Sequence, residues 1–242
     1  EALQITYPEI IKIRTKKIDI IKNEMANDAN IELQYAAKVF NVSNYWKKLI
    51  GQSKALKKMK VYDEKLKIEN EFRVWVESNE NNKIKYGNVL ESLKESYERN
   101  KKIALNRTYL TETIFQGSEI LSFSYTMKNR INSIAKNGEE RTEDIRKLKK
   151  IAKEFYKNYN AKVDQKVLAA MLEMYYYNVP KAQHASVFKK IENQLFGIKK
   201  LDFNYYSKSI FNRSYFSSQE KCLNFLKNPS KSLIEKDPAY VL

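Results

Sequence analysis

Cysteine, histidine, glycine and proline are all scarce in this sequence of 242 residues. A single cysteine, Cys222, excludes an internal disulfide and any zinc site built on cysteines. A single histidine, His184, excludes most metal sites and catalytic triads contained within the chain. No apolar run reaches the roughly 18 residues of a membrane span, and no signal-peptide pattern opens the chain. We therefore expect no metal, no organic cofactor and no membrane span.

The shortage of turn-forming residues also limits the fold. Glycine occurs 5 times and proline 4 times, and residues 9–179 contain no proline. A β-sandwich or barrel needs a turn about every 8–12 residues, usually built with glycine or proline. That class is excluded, and apolar residues instead recur at spacings of three and four, which is typical of helices. The sequence predicts an all-α domain of long antiparallel helices with short connections.

Helix boundaries follow from the apolar spacing and from the polar breaks. One helix starts at Pro8, a second and longest one covers about residues 46–76, and a loop follows at residues 79–82. After a short helix at 89–97, another long helix is expected at about 110–134, with Gly117 and Ser118 on its apolar face and Asn137-Gly138 ending it. The remaining predicted helices are at about 142–159, 163–177, 184–196, 202–212, 218–227 and 230–236.

The net charge of +16 admits two interpretations. It favours a nucleic-acid partner at first sight. However, 37 of the 45 basic residues are lysine and 8 are arginine, whereas phosphate and base recognition favour the arginine fork. Runs of charge usually mark solvated helix faces, so we expect no nucleic-acid partner. A stand-alone basic module that binds nucleic acid or an acidic protein stays open as the alternative.

The most informative local string runs from Gln34 to Gly51 and includes Asn44-Tyr45-Trp46-Lys47. Its composition indicates one helix, a sharp break, and a new helix with Ser43 or Asn44 as its N-cap residue. In that interpretation Trp46 is simply an aromatic anchor of the helix. Composition alone favours this structural role over a binding role for Asn44.

The same string resembles the start of the helical domain in the S46 family of serine peptidases, the dipeptidyl-peptidase 7 and dipeptidyl-peptidase 11 group. The similarity continues in order along nearly the whole chain, which makes it more specific than any one motif. The matching segments are Tyr35-Ala36-Ala37, Ser43 to Lys47, Tyr86 to Leu90, Gly117-Ser118-Glu119, Leu168 to Leu172, Val179-Pro180-Lys181, Ser209-Ile210-Phe211, Phe225 to Pro229 and Asp237-Pro238.

The resemblance implies an enzyme about three times as long as this chain. Its chymotrypsin-like double β-barrel carries a Ser-His-Asp triad, and a large helical domain inserted between the barrels covers the cleft. We therefore expect residues 1–242 to form this single helical cap domain, with the ends, 1–8 and 228–242, leading into the flanking barrels. The apolar end of the chain also indicates a piece of a longer protein. A periplasmic, cell-surface or secreted location in bacteria is expected from the family.

The resemblance further implies what the cap domain does. The parent enzyme would release dipeptides from polypeptides with a free N-terminus, and an asparagine of the helical domain helps to bind the substrate α-ammonium. Asn44 is the residue that matches, with Tyr45 and Trp46 as supporting residues. No catalytic residue is expected within the chain, so the isolated domain is predicted to be inactive, and His184 is expected to be a packing or surface residue. A homodimer is left open.

Overall fold

The computed structural model describes residues 2–194 and 201–242, and all regular secondary structure within these ranges is helical. The α-helices are α1 (Tyr7–Met25), α2 (Ala29–Lys58), α3 (Val61–Glu77), α4 (Glu80–Tyr86), α5 (Val89–Tyr109), α6 (Glu119–Ile131), α7 (Gly138–Lys157), α8 (Ala161–Asn178), α9 (Ser186–Gln194), α10 (Phe203–Arg213), α11 (Gln219–Phe225), α12 (Lys231–Ile234) and α13 (Pro238–Val241). Two segments, Ala2–Thr6 and Leu110–Phe115, are π-helical. The all-α prediction is confirmed, and no helix in these ranges is long and apolar enough to cross a membrane.

Helix α8 is the centre of the hydrophobic core. Its side chains Val163, Leu168, Met171, Leu172 and Tyr175 are all fully buried. Helices α1 and α10 and the π-helical segment Leu110–Phe115 pack around it. The helices predicted at 142–159 and 163–177 correspond to α7 and α8, and α8 ends just before Pro180, which cannot continue a helix. The helix predicted at 184–196 corresponds to α9, and its last two predicted positions lie outside the described residues.

Helix α1 lies between α2 and α8 and contacts both. Pro8 occupies its first turn, where the missing N–H costs no hydrogen bond. Its buried side chains Ile10, Ile13, Ile18 and Ile21 face the core at helical spacing. The position of α1 therefore sets how α2 is placed against the rest of the domain.

Helices α3 and α4, residues 61–86, form an arm that buries little. Val76 is the one buried side chain of α3, and α4 has none. The arm leaves large apolar side chains in solvent, including Tyr62, Val74 and Ile84. Its contacts with the body of the domain run mainly through the short junction between α2 and α3.

The predicted break before Asn44 is wrong. Helix α2 continues without interruption from Ala29 to Lys58, and its N-cap residue is Asp28, whose carboxylate accepts the N–H groups of Asn30 and Ile31. The chain breaks instead at Lys60, whose φ of 50° ends the helical path before α3. Residues with cap preference do not break a helix whose buried face packs well on both sides of them.

The predicted single helix at 110–134 is also wrong. The π-helical segment Leu110–Phe115 is followed by a turn at Gly117, and Ser118 is extended before α6 begins. A Cβ at position 117 would collide with the backbone carbonyl oxygen of Thr113, so the turn requires glycine. Gly138 has the predicted left-handed φ, 77°, but it opens α7 rather than ending α6, which stops at Ile131.

We expect Leu168→Ala to lower the free energy of unfolding by about 2–5 kcal/mol, because it leaves a cavity in the fully buried face of α8. The matched control is Val74→Ala on the arm, where the side chain is 69% exposed, and its effect is expected within about 0.5 kcal/mol. Urea denaturation of the chain measures both. Equal losses for the two variants would contradict α8 as the centre of the core.

Candidate functional site

Asn44 lies in the middle of the continuous helix α2, with its side chain exposed to solvent. It is not an N-cap residue, because the backbone on both sides of it is helical. Asparagine is a poorer helix former than alanine at such a position. The capping role that composition favoured is therefore absent, and local structure gives no reason for an asparagine here.

Trp46, two residues further on, fixes α2 to α1. Its indole Nε1–H donates to the Thr15 hydroxyl at 2.9 Å. The same hydroxyl donates to the Ile11 carbonyl oxygen at 2.7 Å, so it is donor and acceptor at once. The half-buried indole packs on the core and ties the two helices together.

Tyr45 is held by Arg14, the residue of α1 that precedes Thr15. The Arg14 guanidinium lies over its ring, 4.2 Å from the centroid. Arg14 also donates to both carboxylate oxygens of Glu112 in the π-helical segment. Its Nε lies 2.8 Å from Oε2 and its Nη2 lies 3.1 Å from Oε1. The two charged side chains are only 16% and 7% exposed, so this bidentate pair is largely shielded from water.

A second charged cluster ties the N-terminal half of α2 to α6 and α8. The Lys38 ammonium lies 2.5 Å from a Glu119 carboxylate oxygen and also donates to the Asn158 carbonyl. The Tyr35 hydroxyl contacts both the backbone N–H and the carbonyl oxygen of Asn160 at 3.3 Å. These contacts, and the stack of Arg14 on Tyr45, hold α2 at two places along its length.

Asp164 of α8 is buried and caps α6 across the core. Its two carboxylate oxygens accept the N–H groups of Glu119 and Ile120 at 2.8 Å, and the Tyr159 hydroxyl donates to it at 3.2 Å. Burial raises the pKa of Asp164 to about 6, and the Glu119 carboxylate adds to this. Burial also lowers the pKa of the neighbouring Lys17 ammonium, which donates to the Gln116 carbonyl.

The histidine and the cysteine both pack against other side chains of the domain. The His184 Nε2–H donates to the Val179 carbonyl at 2.9 Å, and the ring lies among Tyr175, Tyr176 and Phe188. That nitrogen carries its proton in this bond, and of the two roles expected for His184, packing or surface, these contacts match packing. Cys222 is fully buried, and burial raises the pKa of its thiol to about 12, so it carries no reactive thiolate.

The outer face of α2 around Asn44 is open and partly apolar. Phe40 is 64% exposed, and Leu33 is 83% exposed. At helical spacing they share a face with Asn44, which stands next to the half-exposed ring of Tyr45. An exposed apolar stripe of this kind on a long helix is suited to contact with another surface.

The sequence pointed to Asn44, Tyr45 and Trp46 as site residues, but it did not predict the contacts of Arg14 with Tyr45 and Glu112. One signal was present, because Arg14 falls on the apolar stripe of α1, where an unpaired charge would be costly. The identity of its partner had no local signal, since Glu112 lies 98 residues away.

The structural comparison finds solved structures of similar fold from Porphyromonas endodontalis. The crystal structure of Porphyromonas endodontalis DPP11 aligns with a TM-score of 0.70 at 21% identity, over 98% of this chain and 33% of that one. The same protein in complex with the dipeptide Arg-Glu aligns with a TM-score of 0.71, also at 21% identity and the same coverage. At this identity the similarity shows a shared all-helical fold.

Sequence comparison then gives the family. The Peptidase S46 family model matches residues 1–242, and the chain belongs to this family of peptidases. It is 32% identical over 235 residues to dipeptidyl-peptidase 7 of Porphyromonas endodontalis and 28% identical over 234 residues to the Asp/Glu-specific dipeptidyl-peptidase of Flavobacterium psychrophilum. These alignments cover 96% of this chain but 27% and 31% of those proteins. The chain thus spans about a third of the length of the curated relatives it matches.

The raised pKa of Asp164 gives a pH dependence of stability. An unfolded aspartate titrates near about 3.9, so between about pH 4 and pH 6 the folded chain binds a proton that the unfolded chain does not. The contribution of Asp164 to stability should therefore fall as the pH rises through this window and stay constant above it.

The measurement is the free energy of unfolding of the wild type minus that of Asp164→Asn, taken from pH 4 to pH 8. Subtraction removes the titration of all groups that the two proteins share. We expect the difference to decrease with pH up to about 6–7. A difference that increases with pH would show that the N–H bonds to the carboxylate outweigh its burial.

Proposed function

We propose that this chain is the helical cap domain of a serine dipeptidyl aminopeptidase, and that Asn44 binds the α-ammonium of the substrate. Membership of family S46 and the dipeptidyl-peptidase names of the relatives support the activity. The coverage of about a third of those relatives supports a catalytic part outside these residues, which we propose to be a double β-barrel with the Ser-His-Asp triad. The engagement of His184 in packing agrees with this division of labour.

A dipeptidyl-peptidase must recognise a free N-terminus and place the second peptide bond at the nucleophile. This requires an acceptor for the ammonium at a fixed distance from the catalytic serine. A neutral amide carbonyl is suited to this, since it accepts an N–H of the ammonium in a charge-assisted bond. Such a bond contributes roughly 1.5–3 kcal/mol when water is excluded.

The observation that carries the proposal is the placement of Asn44. Its side chain is exposed on an unbroken helix, where it caps nothing, and the next two residues are both fixed to α1. The side chain is thus free to bind while the helix behind it is held in place. Phe40 and Tyr45 supply an apolar surround that would help to exclude water once a second surface covers the face.

We expect Asn44→Ala in the full-length protein to lower kcat/KM at least tenfold on dipeptidyl coumarylamides with a free amine, because the bond to the ammonium is lost. The substrate panel covers acidic and hydrophobic second residues. The melting temperature should change little, since the side chain is exposed. The matched control is Asn129→Ala, the same substitution at an exposed position of α6, which should leave kinetics unchanged.

Two results would contradict the role of Asn44. One is unchanged kinetics of Asn44→Ala on all substrates of the panel. The other is an equal loss for Asn44→Ala and Asn129→Ala, which would point to a general effect of the substitution. Cleavage of any of these substrates by the purified 242-residue chain would instead contradict the assignment of the catalytic groups to another part of the protein.

A further inference from the structure

Two consecutive residues of α1 hold two consecutive residues of α2, directly beside Asn44. Arg14 lies over the ring of Tyr45, and Thr15 accepts the hydrogen bond of Trp46. Successive residues point about 100° apart around a helix, so the two contacts act in different directions. Together they prevent α2 from rolling about its own axis.

Rolling matters because Asn44 stands on the outer face of α2. A side-chain tip lies about 5–6 Å from the helix axis, so a roll of about 20° moves it by about 2 Å. A hydrogen bond to the substrate ammonium tolerates a few tenths of an ångström. The contacts of Tyr45 and Trp46 therefore decide whether the Asn44 carbonyl can reach the ammonium in the productive position.

The use of an arginine for this purpose creates an electrostatic problem. Its guanidinium carries a full positive charge and lies over Tyr45, the residue next to Asn44, where we propose that a cation binds. Because the Arg14 side chain is only 16% exposed, water screens this charge weakly. The Glu112 carboxylate offsets this positive charge, because it accepts hydrogen bonds from both Nε and Nη2 of Arg14. The pair is then neutral as a whole while the guanidinium face still stacks on Tyr45.

We propose that Arg14 is a positioning residue for the α-ammonium site at Asn44, and that Glu112 neutralises it so that it does not repel the substrate. This inference rests on the proposed function of Asn44. A lysine at position 14 could not do the same, because it lacks the planar fork that binds both carboxylate oxygens and stacks on the ring.

The test compares Glu112→Gln with the double variant that also carries Arg14→Gln, both in the full-length protein, with dipeptidyl coumarylamides as substrates. Glu112→Gln leaves the guanidinium charge uncompensated, so we expect KM to rise at least fivefold with kcat within about twofold, and the rise to shrink as salt is added. Combining it with Arg14→Gln removes the charge but also the stack on Tyr45, so the double variant should keep a raised KM and lose the salt dependence that Glu112→Gln shows. A purely structural pair would lower the melting temperature without a salt-dependent KM in either variant.

The control is Glu143→Gln on α7, which breaks an equally bidentate but exposed pair with Arg146 and should leave KM unchanged. If Glu112→Gln does not fold, Arg14→Lys replaces it, and a KM rise of at least threefold is expected. A KM whose salt dependence is the same in the double variant as in Glu112→Gln overturns the neutralising role, and an unchanged KM in Arg14→Lys overturns the positioning role. Loss of activity in Asn44→Ala with either of these results would refute this inference while leaving the proposed function in place.

Discussion

The packing of α1 between α2 and α8 is the constraint on which the rest of the domain depends. On one side, buried isoleucines of α1, among them Ile13 and Ile21, face the core that surrounds α8. On the other side, Arg14 and Thr15 fix the rotation of α2 about its own axis. Helix α1 thus links the core to the part of α2 that carries Asn44. Lys38 and Tyr35 add a second link, which runs from the N-terminal half of α2 directly to α6 and to the start of α8.

Much of this architecture could be predicted from the sequence, because most helices show the regular spacing of apolar residues that is typical of helices. The apolar spacing in α7 and α8 is regular, and Pro180 marks the end of α8. The expectation that His184 is a packing or surface residue followed from the resemblance, which implies that the catalytic residues lie outside this chain. Asn44, Tyr45 and Trp46 were identified through resemblance to a family, and the structure adds where each of them lies and what the last two contact.

The errors share one physical cause, which is that tertiary contacts decided what local signals left ambiguous. Ser43 and Asn44 have the composition of an N-cap, yet α2 runs through them because buried side chains such as Val39 and Leu49 anchor it on both sides. The start of α6 was hidden because its cap is supplied by Asp164, more than 40 residues away. The pairing of Arg14 with Glu112 was hidden for the same reason. Such contacts are a property of the folded chain and have no local sequence pattern.

The arm of residues 61–86 has a consequence for how the sequence can change over time. Since it buries a single side chain of α3 and none of α4, packing imposes almost no restriction on the residues found there. Helix propensity and solubility are the main remaining requirements, and many residue types satisfy both. Amino-acid replacements should therefore accumulate in the arm faster than in α8, where each buried side chain fits one space. Within one domain, neighbouring helices would then diverge at very different rates.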